Sequence, residues 1–528
     1  MGTLSENQEF AEFSGSDISL VVIETNGGFP IPDEIKIKAH MKIIDAGPGE
    51  WNSPPDPGNV YDGNVGIEIR GAYSATLPQK PYGFETRDSL GGNFNVPLLG
   101  MPEENDWILL ANYNDKAFLR NSLAGHLFRQ MGHYAPRTRH CELVVNGSYQ
   151  GIYVLTEKIK RDKNRVDIAT LDVYESSGDD VSGGYIFKTD YYSDDNSWIS
   201  SFPPATRPDR TVRFVYSYPK ADEINDPQKE YIQFYVNSFE EVLHGSSFKN
   251  SQTGYSAYID VDSFRDYFIL SEVSRNVDAY KKSRFLFKDK ESKGGKIHSG
   301  PPWDYDWAWK DIWDCHMFTN TDGSGWAYEV NDCDVWPVPP VYMTRLLQDD
   351  HFANRIKQRY VELRQSTLSD ASIFAYIDSV SHYLDGAQQR HYATWDILGE
   401  DVGAPEVGYI PMNFIGEMVK FKAWIQTRLS WLDSNMPGDE FGPVQSVSQA
   451  TAALRLFPNP ASDLVYIESY VLMDRIEIYT ISGTRVYMNP GGPEFSTAVD
   501  VHEFTPGIYL VHLVTVSGES VVERLVIK

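Results

Sequence analysis

The sequence is short of positive charge. Its 528 residues include 47 Lys and Arg against 74 Asp and Glu, which gives a formal net charge of −27 at pH 7. Proteins that bind the phosphate backbone of nucleic acids need a surplus of Lys and Arg on at least one surface. The deficit therefore argues against a nucleic-acid partner, and an acidic surface favours cations over anionic partners.

Long apolar runs are also missing. A helix that crosses a bilayer needs about 18 or more consecutive apolar residues, and no stretch of the sequence approaches that length. The first residues, Met1 to Glu6, contain neither a basic segment nor an apolar one. We therefore expect no membrane span, and we expect either a cytoplasmic protein or an exported one whose signal peptide has been removed.

Cysteine is scarce, with three in the whole chain. Cys315 and Cys333 flank one loop and could form a disulfide, whereas Cys141 lies in a predicted strand and is interpreted as a buried thiol. Three cysteines do not decide whether the compartment is oxidising or reducing. The Cys315–Cys333 pairing stays open, because the sequence does not give the distance between the two Cα atoms.

Hydrophobic patterning divides most of the chain into a strand-rich half and a helix-rich half. After an N-terminal tail over residues 1–16, strand patterns dominate residues 17–190. Residues 191–226 are polar and rich in proline, and we interpret them as an inserted loop. Helical patterns dominate residues 227–435. This order predicts a two-lobed α+β domain over residues 17–435.

A composition change marks a second domain. Residues 436–451 are rich in Gly, Pro and Ser and have the composition of a linker. Residues 452–528 contain only short strand patterns separated by turn residues. This spacing predicts a small all-β sandwich of the Ig-like type.

Several individual elements have clear signals. Asn146-Gly147 separates two apolar runs and predicts a hairpin with a type I′ turn. Helical spacing covers residues 115–131 and 341–365, and Asp262 is the expected N-cap of another helix.

Carboxylates and a hydroxyl are concentrated between residues 278 and 306. Asp278 and Ser283 lie in a loop after a predicted helix, and a predicted hairpin then leads to Asp304. We expect the hairpin to bring Asp278 and Asp304 to the same end of a sheet. Such oxygen ligands suit a Mg²⁺ ion bound to nucleotide phosphates.

The order of these residues matches phosphoryl transfer in protein kinases. There, an aspartate accepts the hydroxyl proton, a polar residue five positions later contacts metal, and a later aspartate holds Mg²⁺. Asp278, Ser283 and Asp304 follow this order. The spacing alone is a weak signal, because an Asp followed by a Ser five positions later occurs by chance in many chains.

A larger set of residues forms a pattern over roughly residues 17–435. Its members are, in chain order, Ile69-Arg70-Gly71-Ala72-Tyr73-Ser74 with Lys80-Pro81-Tyr82, Asn105-Asp106-Trp107, Asp115-Lys116 with Arg120-Asn121, Gly151-Ile152-Tyr153 with Glu157-Lys158, Gly183-Gly184-Tyr185, Asn276-Val277-Asp278 and Pro302-Trp303-Asp304-Tyr305-Asp306. This pattern resembles the CotH kinase family. The resemblance implies a fold similar to that of protein kinases and the use of ATP with Mg²⁺ or Mn²⁺.

The resemblance implies roles for the clustered residues. Asp278 would be the catalytic aspartate, and Asp304 would be the principal metal ligand. Asp306 and Ser283 would assist in holding metal. Ser283 stands where protein kinases have Asn, which is a better metal ligand.

The resemblance also implies a nucleotide-binding set. Its members would reach the phosphates, form the loop that covers them, or stand on the strand that enters the adenine hinge. They are Lys80 for the phosphates, Arg70, Gly71 and Ser74 for the loop, and Glu157 for the strand.

The chain departs from ordinary kinases in several motifs. It has no G-x-G-x-x-G, H-R-D, D-F-G or A-P-E sequence at the corresponding places. The acidic partner that kinases supply to their phosphate-binding lysine is not evident for Lys80, and Asp115 is the one suggestion.

The C-terminal segment has a second pattern. Its members are Leu456-Phe457-Pro458-Asn459-Pro460 with Asp463, Ile476 to Gly483, Pro506-Gly507-Ile508-Tyr509 and the terminal Lys528. This pattern resembles the sorting domain of the type IX secretion system. The resemblance implies a Bacteroidetes-type bacterium, export across the outer membrane, and the secretion machinery as a partner. An ordinary Ig-like binding module is the alternative.

Together the two resemblances predict a function. The expected protein is a secreted or cell-surface atypical kinase that transfers the γ-phosphate of ATP to a Ser or Thr hydroxyl of a protein, with Mg²⁺. The alternative, from a different class, is a catalytically inactive kinase-fold scaffold or a cell-surface adhesin. The presence of both Asp278 and Asp304 favours the kinase.

Overall fold

The computed structural model describes residues 13–204, 207–439, 454–481, 483–489, 494–515 and 520–528. The chain divides into two units, residues 1–440 and 441–528, and each has its own hydrophobic core. Most of the predicted linker lies outside the described residues, as does most of the predicted N-terminal tail. At the end of that tail, the backbone N–H of Ser16 donates to the carbonyl of Asn52 at 2.8 Å.

Seven strands of the first unit close into a barrel. The barrel order is β1-β2-β3-β4-β7-β9-β8, and the parallel pairing of β1 with β8 closes it. A separate two-stranded sheet, β5-β6, lies between β4 and β7 in the sequence. The strands are β1 Leu20–Thr25, β2 Ile37–Ile44, β3 Tyr61–Ile69, β4 Tyr82–Arg87, β5 Val96–Leu98, β6 Met101–Glu104, β7 Asp106–Ala111, β8 Thr138–Val145 and β9 Ser148–Glu157.

The barrel interior is filled by alternate residues of its strands. Successive side chains of a strand point to opposite faces, so one set faces inward. Tyr153 of β9 and Trp107 of β7 are among the largest of these buried side chains. The aliphatic members include Val21, Ile23, Met41, Ile43, Val65, Ile67, Leu109, Leu143 and Leu155.

The β8–β9 hairpin confirms the prediction from Asn146-Gly147. Asn146 has a φ of 49° and Gly147 a φ of 74°, and a type I′ turn requires both to be positive. The side-chain oxygen of Asn146 also accepts the backbone N–H of Thr25 at 2.8 Å, which ties the turn to the end of β1.

In its described residues, the remainder of the first unit combines nine helices with a five-stranded antiparallel sheet of order β11-β12-β10-β13-β14. The helices and one face of this sheet share the largest described core. The elements are α1 Arg120–Gln130, β10 Tyr185–Thr189, β11 Ser197–Ile199, β12 Arg213–Tyr218, α2 Asp226–His244, α3 Val261–Ser274, β13 Arg284–Lys288, β14 Ile297–Ser299, α4 His316–Thr319, α5 Tyr342–Leu346, α6 Asp350–Arg364, α7 Asp370–Tyr383, α8 Asp385–Thr394 and α9 Phe414–Asn435.

The prediction of an irregular loop over residues 191–226 is wrong. The structure has two strands of the five-stranded sheet there, β11 and β12. Trp198, Val212 and Phe214 are buried in the core beneath them. The strands are short and lie among prolines and charged residues, so their alternation is too brief to stand out in the sequence.

Three helix boundaries also differ from the predictions. Helix α1 begins at Arg120, because Phe118 has a φ of 61°, which is incompatible with an α-helix. The helix predicted over 341–365 is two helices, and the Asp349 carboxylate caps the second by accepting from His351 N at 3.2 Å. The N-cap of α3 is Asp260 rather than Asp262, and it accepts from Ser263 N at 2.8 Å.

The described residues of the second unit are all-β, and their strands form a single hydrogen-bonded sheet. One of these strands, Leu464–Thr480, is long, although the sequence pattern predicted only short ones. Buried aliphatic residues such as Val465, Ile478 and Val511 form the core. The strands are β15 Leu454–Phe457, β16 Leu464–Thr480, β17 Arg485–Asn489, β18 Glu494–Asp500, β19 Gly507–Thr515 and β20 Ser520–Ile527.

The mixed α+β first unit and the all-β second unit are therefore as predicted. The kinase-like arrangement of two lobes and the Ig-like sandwich stay predictions. Cys315 and Cys333 form a disulfide, with their Cα atoms 5.8 Å apart, and Cys141 is a buried free thiol. None of the described helices has the length and apolar character required to cross a bilayer.

Candidate functional site

The end of α3 positions Asp278. Arg275, the C-cap of α3, has a left-handed backbone that turns the chain out of the helix. The side chain of Asn276 then joins two loops: its oxygen accepts Asp278 N at 3.2 Å, and its Nδ2 donates to the carbonyl of Asp304 at 3.1 Å. One amide side chain thus fixes the Asp278 loop against the segment that carries Asp304.

Ser283 and Asp304 are hydrogen-bonded partners in an unusual backbone conformation. Ser283 has a φ of 52° and Asp304 a φ of 59°, in the left-handed region. The Ser283 hydroxyl donates to Oδ2 of Asp304. Non-glycine residues in this region carry a backbone cost of order 1–3 kcal/mol each, and such residues are concentrated at functional sites.

Strand β14 ends at Ser299, five residues before Asp304, so a short irregular segment and not a strand carries Asp304 and Asp306. Contacts to α1 and the loop before it hold this segment. Tyr305 N donates to the side-chain oxygen of Asn121 at 2.8 Å, and Nδ2 of Asn114 donates to Oδ2 of Asp306 at 2.7 Å.

The carboxylates of Asp304 and Asp306 repel each other. Burial and then the charge of Asp306 raise the pKa of Asp304 to about 6, although the Ser283 hydroxyl and the Arg70 charge oppose this rise. Burial also raises the pKa of Asp306, where the Asn114 hydrogen bond opposes it and the charge of Asp278 adds to it. The three carboxylates therefore lie close enough to disfavour one another's charge.

Two lysines neutralise Asp278 instead. Lys282 Nζ lies 3.1 Å from Oδ2 of Asp278, and Lys281 Nζ lies 3.5 Å from Oδ1. Lys281 also contacts Oδ2 of Asp314 at 3.0 Å. In the part of the chain that the structure describes, neither Asp304 nor Asp306 forms an ion pair with a Lys, Arg or His. Their negative charge is thus left without a cation in direct contact.

The segment that begins at Arg70 borders this cluster. The Arg70 guanidinium lies 5.7 Å from the centre of the Trp303 ring, and its charge acts on Asp304. Gly71 has a φ of 99°, and a Cβ at this position would lie 2.3 Å from Oγ of Ser74. Glycine is therefore required for the turn that places Arg70 beside the carboxylates.

Lys80 and Glu157 make their contacts outside the aspartate cluster. Lys80 Nζ donates to the carbonyl of Ala75 at 2.8 Å. Glu157 is fully buried, forms an ion pair with Arg137 at 2.7 Å and accepts from the Tyr134 hydroxyl at 3.2 Å. None of these contacts involves the aspartate cluster. The proposed nucleotide-binding roles of Lys80, Glu157 and Ser74 stay predictions.

The suggestion that Asp115 pairs with Lys80 is wrong. Asp115 is buried, accepts Arg120 N at 2.9 Å and forms an ion pair with the Arg120 guanidinium. Its carboxylate thus stabilises the start of α1. The five-residue spacing from Asp115 to Arg120 brings these two groups together at a helix N-terminus, where a carboxylate is also favoured by the helix dipole.

The sequence left several site residues unassigned. Lys281 and Lys282 are adjacent cations just after Asp278 in the sequence, and this spacing could have predicted that they contact its carboxylate. Asn114 adjoins a segment that resembles the family, but its bond to Asp306 spans 192 positions. Asp190, whose charge acts on Asp304, directly follows β10 and had no signal.

Comparison with known proteins assigns the first unit to a family. The family model described as CotH kinase protein matches residues 67–432, which is more than half of the chain. The chain belongs to the CotH kinase family. The matched residues include Arg70, Asp278, Ser283, Asp304 and Asp306, so the cluster lies within the CotH domain.

One curated relative is the Inner spore coat protein H of Bacillus subtilis (strain 168). It is 23% identical to the chain over 206 residues, which are 39% of this chain and 50% of that protein. The chain thus spans about half the length of this CotH relative.

A second family model, Secretion system C-terminal sorting domain, matches residues 455–528. This match covers the second unit from β15 to its end. The type IX sorting domain predicted from the sequence is therefore present, and such a domain marks a chain for export and cell-surface attachment. The Cys315–Cys333 disulfide agrees with export, because disulfides persist chiefly in oxidising compartments.

Proposed function

We propose that the CotH domain is a secreted protein kinase that transfers the γ-phosphate of ATP to a Ser or Thr hydroxyl with the help of Mg²⁺. The observation that carries the proposal is the convergence of Asp278, Asp304 and Asp306, two of which have raised pKa values and no ion-pair partner among the described residues. A group of carboxylates that disfavour one another's charge is stabilised when a cation binds between them.

The donor set fits a magnesium ion. Carboxylate and hydroxyl oxygens are the ligands that this hard cation prefers, and it is usually bound by one or two carboxylates together with substrate phosphates. Asp304 and Asp306 would hold it, with Ser283 as an additional oxygen donor. When bound, Mg²⁺ (or Mn²⁺) neutralises charge on the phosphates of ATP.

Asp278 would act on the acceptor. In kinase chemistry an aspartate orients the acceptor hydroxyl and accepts its proton as the new P–O bond forms. Asn276 fixes the backbone of Asp278 relative to Asp304, and two lysines contact the carboxylate. These contacts support a fixed carboxylate at the edge of the metal site, and positioning supplies much of the rate in this reaction class.

Arg70 supports binding of the phosphates. Its guanidinium is mostly surrounded by protein, and burial lowers its pKa, yet it has no carboxylate in direct contact among the described residues. Guanidinium groups bind phosphate through paired hydrogen bonds. Arg70 is held beside Trp303 and Asp304, where a phosphate next to the metal would meet it.

The sorting domain supports an acceptor outside the cytoplasm. We propose that the type IX secretion machinery of a Bacteroidetes-type bacterium recognises residues 455–528. The substrate would then be a protein of the cell surface or the surroundings.

The deciding experiment is transfer of label from γ-labelled ATP to the purified chain and to candidate acceptors. Wild type with Mg²⁺ should label, chelator-treated wild type and Asp304→Ala should not, and Asp278→Asn should label about 10²–10⁴ more slowly than wild type. Asp378→Asn is a matched control, because it removes one exposed carboxylate of α7 that pairs with Lys422 away from the cluster. Absence of labelling by wild type on every acceptor would favour the scaffold or adhesin alternative.

A further inference from the structure

Cys315, His316 and Cys333 place three metal-binding atoms together, outside the aspartate cluster. The Sγ atoms of both cysteines and Nδ1 of His316 all lie within 4.8 Å of one another. Nδ1 of His316 is 3.7 Å from each sulfur. Cys315 is buried, whereas His316 is exposed to solvent, so the group is open to an ion from one side.

These separations suit a tetrahedral zinc site. Zinc binds thiolate sulfur at about 2.3 Å and imidazole nitrogen at about 2.0–2.1 Å, and the tetrahedral angle then separates the two ligand atoms by about 3.6 Å. Both sulfur-to-nitrogen distances to His316 are already close to that value. Only the sulfur-to-sulfur distance must change, to about 3.8 Å, once the covalent bond is broken.

We propose that, when the disulfide is reduced, Cys315, Cys333 and His316 bind one Zn²⁺ ion. A dithiol reductant supplies two electrons and two protons, the S–S bond breaks, and two thiols form while the reductant becomes a disulfide. Each thiol loses its proton as its sulfur binds zinc, so binding releases two protons. Three protein ligands leave the fourth tetrahedral position to water.

The site would replace one cross-link with another. The disulfide joins the segment at Cys315 to the segment at Cys333, 18 positions later in the chain. A zinc ion held by both sulfurs joins the same two segments when the disulfide is absent. Asp314, next to Cys315, contacts Lys281, which lies three residues after Asp278. The cross-link therefore also holds the residue that Lys281 contacts. The zinc site does not depend on whether the chain transfers phosphate.

The test is zinc binding by the full chain in two redox states. Protein reduced with a phosphine under argon, and untreated protein, are each dialysed against Zn²⁺, and bound metal is measured by mass spectrometry. Reduced wild type should hold one more zinc per chain than oxidised wild type. The oxidised protein is the control for any zinc that the aspartates bind. Cobalt in place of zinc should give a thiolate-to-cobalt charge-transfer band in the reduced protein alone.

Matched variants separate the three ligands from other thiols. Cys333→Ser should abolish the additional zinc, and His316→Ala should weaken it by more than about tenfold, since even outer contacts of metal ligands contribute 10–100-fold to affinity. Cys141→Ala removes the remaining, buried thiol and should bind like wild type.

Two results would overturn the proposal. One is equal zinc content in the reduced and oxidised chain, and the other is an unchanged zinc affinity in Cys333→Ser. The double variant Cys315→Ser/Cys333→Ser shows whether the chain stays folded without the disulfide. If its circular dichroism matches that of wild type and reduced wild type still binds no additional zinc, the proposal is wrong.

Discussion

The ammonium group of Lys282 lies 3.1 Å from Oδ2 of Asp278. Burial lowers the pKa of Lys282, but the carboxylate of Asp278 and the nearby Tyr191 more than offset this and raise it, so the lysine stays charged at neutral pH. An incoming phosphoryl group would offer this cation a second anion. In the proposed reaction, Lys282 would hold Asp278 before ATP binds and would contact both anions afterwards.

Replacing Asp278 by Asn should lower kcat while leaving the KM for ATP nearly unchanged. In the proposed reaction the carboxylate would act on the acceptor proton in the transition state, so its loss would affect the chemical step more than nucleotide binding. A positioned general base contributes about 10²–10⁴ in rate, or roughly 3–5 kcal/mol of barrier. Steady-state kinetics of labelling measure this, and equal rates for wild type and Asp278→Asn would refute the role.

Replacing Asp304 by Ala should abolish the thermal stabilisation of the chain by ATP with Mg²⁺. A ligand that binds the folded state stabilises it by about 2.7 kcal/mol at a concentration of 100 times its Kd. Differential scanning fluorimetry of wild type, Asp304→Ala and the control Asp378→Asn measures the shift in Tm. If Asp304→Ala shifts as much as wild type, Asp304 does not hold the metal.

Stability should fall between about pH 4.5 and pH 7 because of Glu240. This side chain is fully buried and accepts hydrogen bonds from Ser200 and Tyr342, and burial raises its pKa to about 7. The folded state therefore keeps the proton to a higher pH than the unfolded chain does, so a rise in pH across this window favours unfolding. The slope reaches about 1.4 kcal/mol per pH unit.

The variant Glu240→Gln isolates this effect. Glutamine can accept the same hydrogen bonds and has no proton to release in this range. Denaturant unfolding at several pH values should show a smaller loss of stability from pH 4.5 to pH 7 in Glu240→Gln than in wild type. Parallel curves for the two proteins would mean that Glu240 is already ionised in the folded state throughout the range from pH 4.5 to pH 7.

Truncation after residue 440 should leave a soluble, monomeric first unit that binds ATP as the full chain does. The two units have separate hydrophobic cores, and their division falls in the segment with linker composition. Size-exclusion chromatography, circular dichroism and the ATP-induced shift in Tm compare the truncated and full chains. An insoluble product, or one that loses near-ultraviolet circular dichroism, would contradict the prediction.

The sequence predicted those features of the fold and the site that depend on residues close together in the chain. The Asn146-Gly147 turn was predicted because turn type depends on a few φ values. The grouping of Asp278, Ser283 and Asp304 was predicted because a single hairpin connects them. The first two residues lie just before β13, and the third lies shortly after β14.

Long-range relationships could not be predicted in the same way. The parallel pairing of β1 with β8, which closes the barrel, joins residues about 120 positions apart, as in the pair Leu20 and Glu142. The bond from Asn114 to Asp306 is longer still in sequence. Such contacts depend on how whole elements pack, and a single sequence has no local pattern for them.

The closed barrel also has a consequence for aggregation. Each of its seven strands has a hydrogen-bonded neighbour on both sides, from β1 paired with β2 and β8 around to β9 paired with β7 and β8. An exposed strand edge is a template on which other chains can add strands and begin fibres. An exported protein reaches surroundings without cytoplasmic chaperones, and the barrel itself leaves no strand edge on which unrelated unfolded chains could add.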